Sequence, residues 1–208
     1  MPRLILQQLC LLENDWANAT WIGFEELQDS LKLVPGVHVP PVGSLGNKAM
    51  SRSVVPQFRK EFALHKKITR ATLFITGLGH YEATINGKKI GEAFLAPGWT
   101  YYDKTVLYNT YDITKQLASG GNTIGVIVGN GFYNINMERY YKLVIAFGLP
   151  KMICRLRIEY ADGAEQNIVS GQDWKVTASP ITYSSIYAGE EYDARMSKRL
   201  EAIWFQRY

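Results

Sequence analysis

The feature that most constrains this chain is the run Lys151–Tyr160. Met152, Cys154, Leu156, Ile158 and Tyr160 fall on one side of a two-residue period, and Lys151, Arg155, Arg157 and Glu159 fall on the other. Only an extended strand puts every second side chain on one face, so the run predicts a half-buried strand whose apolar side needs a second layer to cover it. Cys154 lies on the covered side and reads as an inert packing residue.

Shorter runs repeat the pattern. Ala71, Leu73 and Ile75 alternate within Thr69 to Thr76, and Tyr81, Ala83 and Ile85 alternate after Gly77-Leu78-Gly79. Asn86-Gly87 is a turn pair that accepts positive φ, which predicts a hairpin into Lys89-Ile90. Lys104 to Tyr111 reads as a further strand, Ile113 to Leu117 as one helical turn, and Asn122 to Gly129 as a strand with Ile124, Val126 and Val128 inward. Asp162-Gly163 turns the chain into Gln166 to Ser170, and Asp173 to Thr177 is a last short strand. Eight or so strands with almost no helical period predict an all-β fold, an antiparallel sandwich or jelly roll. A parallel α/β fold is excluded because nothing supplies its crossover helices.

The ends differ. Residues 27–56 carry Pro35, Gly36, Pro40, Pro41, Gly43, Gly46 and Pro56 with little periodicity, which predicts a long connecting loop. Trp16, Trp21 and Ile22 precede it as an apolar patch expected to dock on the sandwich. Residues 181–208 hold several aromatics but no closed pattern. The expected division is an N-terminal arm and loop over 1–56, the sandwich over 57–180 and a linker over 181–208.

Charge and targeting exclude several partners. With 23 Lys+Arg against 19 Asp+Glu and a net charge of +4, no basic stripe for nucleic acid is present. No apolar run approaches the roughly 20 residues of a membrane helix, so no membrane partner is expected. The start, Met1 to Leu12, is interrupted by Gln7 and Gln8 and followed by no small-residue cleavage site, so it does not read as a signal peptide. Cys10 and Cys154 have no paired spacing, which leaves disulfide and zinc readings weak.

A search for catalytic chemistry finds none of the HExxH, GxSxG, Walker A or GxGxxG patterns, and His38, His65 and His80 lack ligand spacing. Glu25-Glu26, Glu190-Glu191 and Asp193 supply carboxylates, but acidic pairs on loops read as solvated surface. Two aromatic loops are more informative: Pro97-Gly98-Trp99-Thr100-Tyr101-Tyr102-Asp103 and Gly129-Asn130-Gly131-Phe132-Tyr133-Asn134. Loops cluster at the ends of a sandwich, so the two are expected on one rim. Aromatic faces there can stack on a sugar ring while Asn and Asp bond its hydroxyls, which makes Trp99, Tyr101, Asp103, Asn130, Phe132, Tyr133 and Asn134 carbohydrate-binding candidates. The competing reading is that Trp99, Phe132 and Tyr133 cap the core or pack on a neighbouring domain.

The succession WIG (Trp21 to Gly23), FRKEF (Phe58 to Phe62), RATLFITGLGHYEATINGKKIGEAFLAPGWTYYDKTVLYNTYDIT (Arg70 to Thr114), GNGFYN (Gly129 to Asn134) and ITYSSIYAGEEYDAR (Ile181 to Arg195) resembles the N-terminal region of bacterial α-L-rhamnosidases, inverting glycoside hydrolases related to family 78. Phe132 stands where GNGWY members have Trp, and His80 where Tyr is common. The resemblance implies a galactose-binding-like β-sandwich ahead of a catalytic (α/α)₆ barrel. Nothing in this chain matches that barrel, so no catalytic residue is expected and residues 181–208 are expected to lead toward a downstream domain. The implied role is an accessory, non-catalytic region of an enzyme acting on rhamnose-containing glycans. Alternatives are a binding module for L-rhamnose and a protein-interaction sandwich. Some relatives bind rhamnose with a calcium ion; here Asp103, Asn130 and Asn134 are the candidate Ca²⁺ ligands, chosen for their loop chemistry. The family suggests a periplasmic or extracellular location.

Overall fold

The computed structural model describes residues 13–32, 34, 54–135 and 145–197. The N-terminal twelve residues with Cys10, His38 and most of the expected 27–56 loop lie outside them.

Two five-stranded antiparallel sheets face one another. In the first, β10 (Lys151–Tyr160) lies beside β3 (Ile68–Leu78), which pairs with β6 (Asn109–Asp112). The other edge of β10 is shared end to end by β1 (Ile22–Gly23) and β11 (Glu165–Val169). The second sheet runs in the order β12 (Lys175–Ala178), β2 (Pro56–Leu64), β7 (Gly120–Gly129), β4 (His80–Ile85), β5 (Lys88–Lys89). The expected antiparallel sandwich is therefore present. Its core is made by the residues that the two-residue period picks out: Met152, Cys154, Leu156 and Ile158 of β10 and Leu73 and Ile75 of β3 meet Ile124, Val126 and Val128 of β7 and Ile85 of β4. Burial of such side chains contributes about 1.5–3 kcal/mol each.

Glycines set two of the corners. Gly79 has φ +122°, and a Cβ there would stand 2.1 Å from the Gly129 carbonyl oxygen. Only glycine lets β3 pass this close to β7 as the chain crosses into β4 of the opposite sheet. Asn86 and Gly87 both have positive φ, 51° and 77°, and close the predicted hairpin, with Thr84 opposite Lys89. The expected helical turn is a 3₁₀ turn over Thr114–Gln116. Asp112 receives both the backbone N–H and the hydroxyl of Thr114, at 3.0 and 2.6 Å.

Three expectations are corrected. Lys104 to Tyr111 is not one strand: only Asn109–Asp112 pairs, because the Tyr101 carbonyl accepts from the N–H groups of both Lys104 and Thr105 and folds the preceding residues into a turn. Pro56–Leu64, outside the strands read from the sequence, is a full strand; Arg59, Lys60 and Glu61 between Phe58 and Phe62 blur its period. Residues 181–208 are not wholly patternless, since β13 (Ile181–Ser185) and β14 (Gly189–Tyr192) form a hairpin. The N-terminal patch docks in part. Trp16 sets its edge on Tyr108 at 5.9 Å and Ile22 packs on the core, while Trp21 stays 40% exposed.

Candidate functional site

The two aromatic loops meet at one end of the sandwich, over a second, smaller core of Val34, Tyr102, Ile135, Ile145 and Phe147. The short ladder of β8 (Asn134–Ile135) and β9 (Ile145–Ala146) lies beneath them.

The 130–134 loop is a tight turn fixed by its backbone. Tyr133 and Asn134 both donate to the Asn130 carbonyl, at 3.2 and 3.3 Å, and Gly131 sits at φ +52° against His80. This turn sends Phe132 to one side and Tyr133 to the other. Phe132 lies under the indole of Trp99, with centroids 4.4 Å apart and planes 8° from parallel. His80 and Tyr187 meet Phe132 edge-on, at 6.1 and 6.4 Å. Tyr133 stacks on Phe147 at 5.8 Å, and Tyr102 sets its edge against both rings. Burial first, then the nearby charges of Glu26 and Asp103, push the Tyr133 hydroxyl up to about 12.

Beside this stack is a surface hollow of about 210 Å³, lined by Trp99, Thr100, Tyr101, Ile145 and Phe147. It is smaller than the roughly 300–1,000 Å³ of drug-sized sites. Trp99 is 55% exposed and Tyr101 43%, so both present free aromatic surface at its mouth.

Of the seven carbohydrate candidates, the structure brings Trp99 and Tyr101 to the hollow. Phe132 supports Trp99 from beneath, and Tyr133 belongs to the small core. Asp103 is exposed on the loop, whereas Asn130 and Asn134 are buried. The Asn130 side-chain amide donates to the Ser184 carbonyl at 2.8 Å and ties the turn to β13. As calcium ligands these three are one exposed and two buried residues, and by themselves they fall short of the six to eight oxygens that Ca²⁺ takes. Among the described residues no group of three His, Cys, Asp or Glu is placed to hold a metal. Ile145 and Phe147 of the hollow carry no local signal, since in sequence they form an apolar run like any buried strand.

The acidic residues weighed for hydrolysis are engaged in surface contacts. Glu25 accepts from the Val54 N–H, Glu26 pairs with Lys151 at 2.6 Å, and Glu190 accepts from the Ser184 hydroxyl. The Arg195 guanidinium holds the Asp193 carboxyl down at about 2. None of them faces the hollow. Cys154 is fully buried, which pushes its thiol well above the ordinary range and leaves it inert.

Comparison with known proteins adds to this geometry. Residues 66–204 match the family described as the alpha-L-rhamnosidase N-terminal domain. An alpha-L-rhamnosidase of Streptomyces avermitilis is 42% identical over 157 residues, 74% of this chain and 15% of that enzyme. One from Formosa agariphila is 35% identical over 195 residues, 91% of this chain and 19% of that enzyme. The chain thus spans 15–19% of the length of these curated relatives. Among solved structures, the native rhamnosidase of Aspergillus terreus superposes with a TM-score of 0.71 at 34% identity, over 89% of this chain and 19% of that one. The Streptomyces avermitilis enzyme complexed with L-rhamnose superposes with a TM-score of 0.61 at 41% identity, over 69% of this chain and 14% of that one.

Proposed function

Because the chain belongs to the alpha-L-rhamnosidase N-terminal domain family, we propose that it is the accessory, non-catalytic sandwich of an enzyme acting on rhamnose-containing glycans, and that its hollow holds one sugar ring. The observation that carries the sugar reading is the uncovered Trp99 surface at the mouth of a hollow that also contains Tyr101 and Phe147. The apolar face of a pyranose stacks on such a ring, and Thr100, whose hydroxyl donates to the Thr105 carbonyl, leaves an acceptor oxygen at the same wall. The structure of the Streptomyces avermitilis relative with L-rhamnose makes that sugar the first ligand to try. The expected absence of hydrolysis follows from the match, which is to the N-terminal domain of these enzymes and not to their catalytic part.

Calorimetry of the chain with L-rhamnose, with and without Ca²⁺, tests the binding. Weak binding that Trp99→Ala removes supports it, and heat that appears only with calcium assigns a metal to the site. No heat in either condition rejects the sugar reading. Turnover of an aryl α-L-rhamnoside that persists through repurification would overturn the non-catalytic assignment.

A second reading rests on a separate observation. Phe94 and Leu95 are 83% and 67% exposed on the loop leading to Trp99. Two adjacent exposed apolar side chains favour contact with the rest of a larger enzyme.

A further inference from the structure

We infer that Phe132 is a positioning residue, which holds the Trp99 indole in one plane so that only the opposite face is open to a ligand. The inference rests on the sugar-binding reading above but concerns a residue outside the hollow. Phe132 covers one face of the indole at 4.4 Å with the planes 8° apart, and it is absent from the walls of the hollow. Trp99 lines the hollow and stays 55% exposed although Phe132 covers one of its faces. A half-exposed indole on a loop would ordinarily sample several rotamers, and ordering it on binding opposes affinity.

Phe132 is itself held on three sides. His80 and Tyr187 meet it edge-on from different elements, with planes at 82° and 90°, and Trp99 closes the third side. Gly131 favours the arrangement, because it sits at φ +52° and a Cβ there would stand 3.0 Å from the His80 backbone nitrogen. The β13–β14 hairpin that carries Tyr187 is fixed in turn by the bond from Asn130 to Ser184. A platform open on one face takes a single ring laid flat and cannot clamp a ring between two aromatics.

The test uses the whole chain, with L-rhamnose as the probe. In NMR spectra the Trp99 ring protons should be displaced upfield by the Phe132 ring current and show cross-relaxation with it, and Phe132→Leu should abolish both. The same variant should weaken L-rhamnose binding about three- to tenfold, the worth of an aromatic pair, while Phe132→Trp restores it. Unshifted Trp99 protons in the wild type, or equal affinity in Phe132→Leu, would overturn the inference. Shifted protons without any rhamnose binding would support the positioning and reject the sugar reading, so the two fail separately. If Phe132→Leu does not fold, the wild-type shifts and cross-relaxation decide, because they need no variant.

Discussion

The hydroxyl of Tyr133 lies 2.6 Å from the point where a Cβ on Gly148 would stand. Gly148 has no positive φ to demand glycine, so space alone selects it. Tyr133 cannot swing away, because Phe147 and Tyr102 pack its ring. Gly148→Ala should therefore cost about 1–3 kcal/mol, the range for overpacking a filled core. Denaturant unfolding measures this. Adding Tyr133→Phe should recover only part of the loss, since two Tyr133 ring carbons also lie within 3.2 Å of that Cβ position.

Asn130→Ala should loosen the last hairpin. Its amide is buried and donates to the Ser184 carbonyl at 2.8 Å, and losing that bond leaves a buried acceptor short of a partner. A cost of about 1–3 kcal/mol is expected. Hydrogen exchange should quicken at Ile181–Tyr192 before it quickens in β10, and equal protection in both would refute the link.

Tyr81 ties the two sheets together. It stands in β4 of the second sheet, and its hydroxyl donates to Asn109 Oδ1 of β6 in the first at 2.8 Å, with the Tyr111 hydroxyl 3.2 Å away. Tyr81→Phe should cost about 1–3 kcal/mol. Tyr111→Phe should cost less, because the bond from Tyr81 to Asn109 survives it. The reverse order of melting temperatures would contradict this bridge.

Stability should fall on mild acidification because of His80. Burial beneath the 130–134 loop holds its imidazole below the usual value near 6.5. Above pH 7 the group is neutral in both states and contributes no penalty. As the pH falls through 6.5 the unfolded chain takes up a proton that the folded chain resists, so stability drops until the folded-state pKa is reached. Asp112, Asp162 and Glu165, whose pKa values are lowered by their hydrogen bonds, lose their contributions only at more acidic pH, below the ordinary carboxylate range. His80→Gln should flatten the melting temperature between pH 7 and pH 5. A wild type with no slope in that window would refute the assignment.

Much of the sandwich was legible because its signals are local. A two-residue period within β10, β3 and β7 marks the inward face of each strand wherever its partner lies, and Asn86-Gly87 names a turn from two residues. Where charges interrupt the period, as at Arg59, Lys60 and Glu61 of β2, the strand is set by its neighbours. β7 and β12 supply hydrogen-bonding edges on both sides, and Lys60 forms an ion pair with Asp173. The loop 101–108 shows the converse, since aromatic and β-branched residues there suggest a strand, but the Tyr101 carbonyl draws Lys104 and Thr105 into a turn.

The sequence by itself determined that this chain is an all-β sandwich of the rhamnosidase N-terminal kind, with two aromatic loops and no catalytic pattern. Only the tertiary structure decided what those aromatics do. Stacking depends on where rings from distant segments meet, and no residue's own identity encodes that. Thus Phe132 became the support of Trp99, Tyr133 joined the small core, Asn130 turned inward to Ser184, and Ile145 and Phe147 completed a hollow that their sequence does not announce.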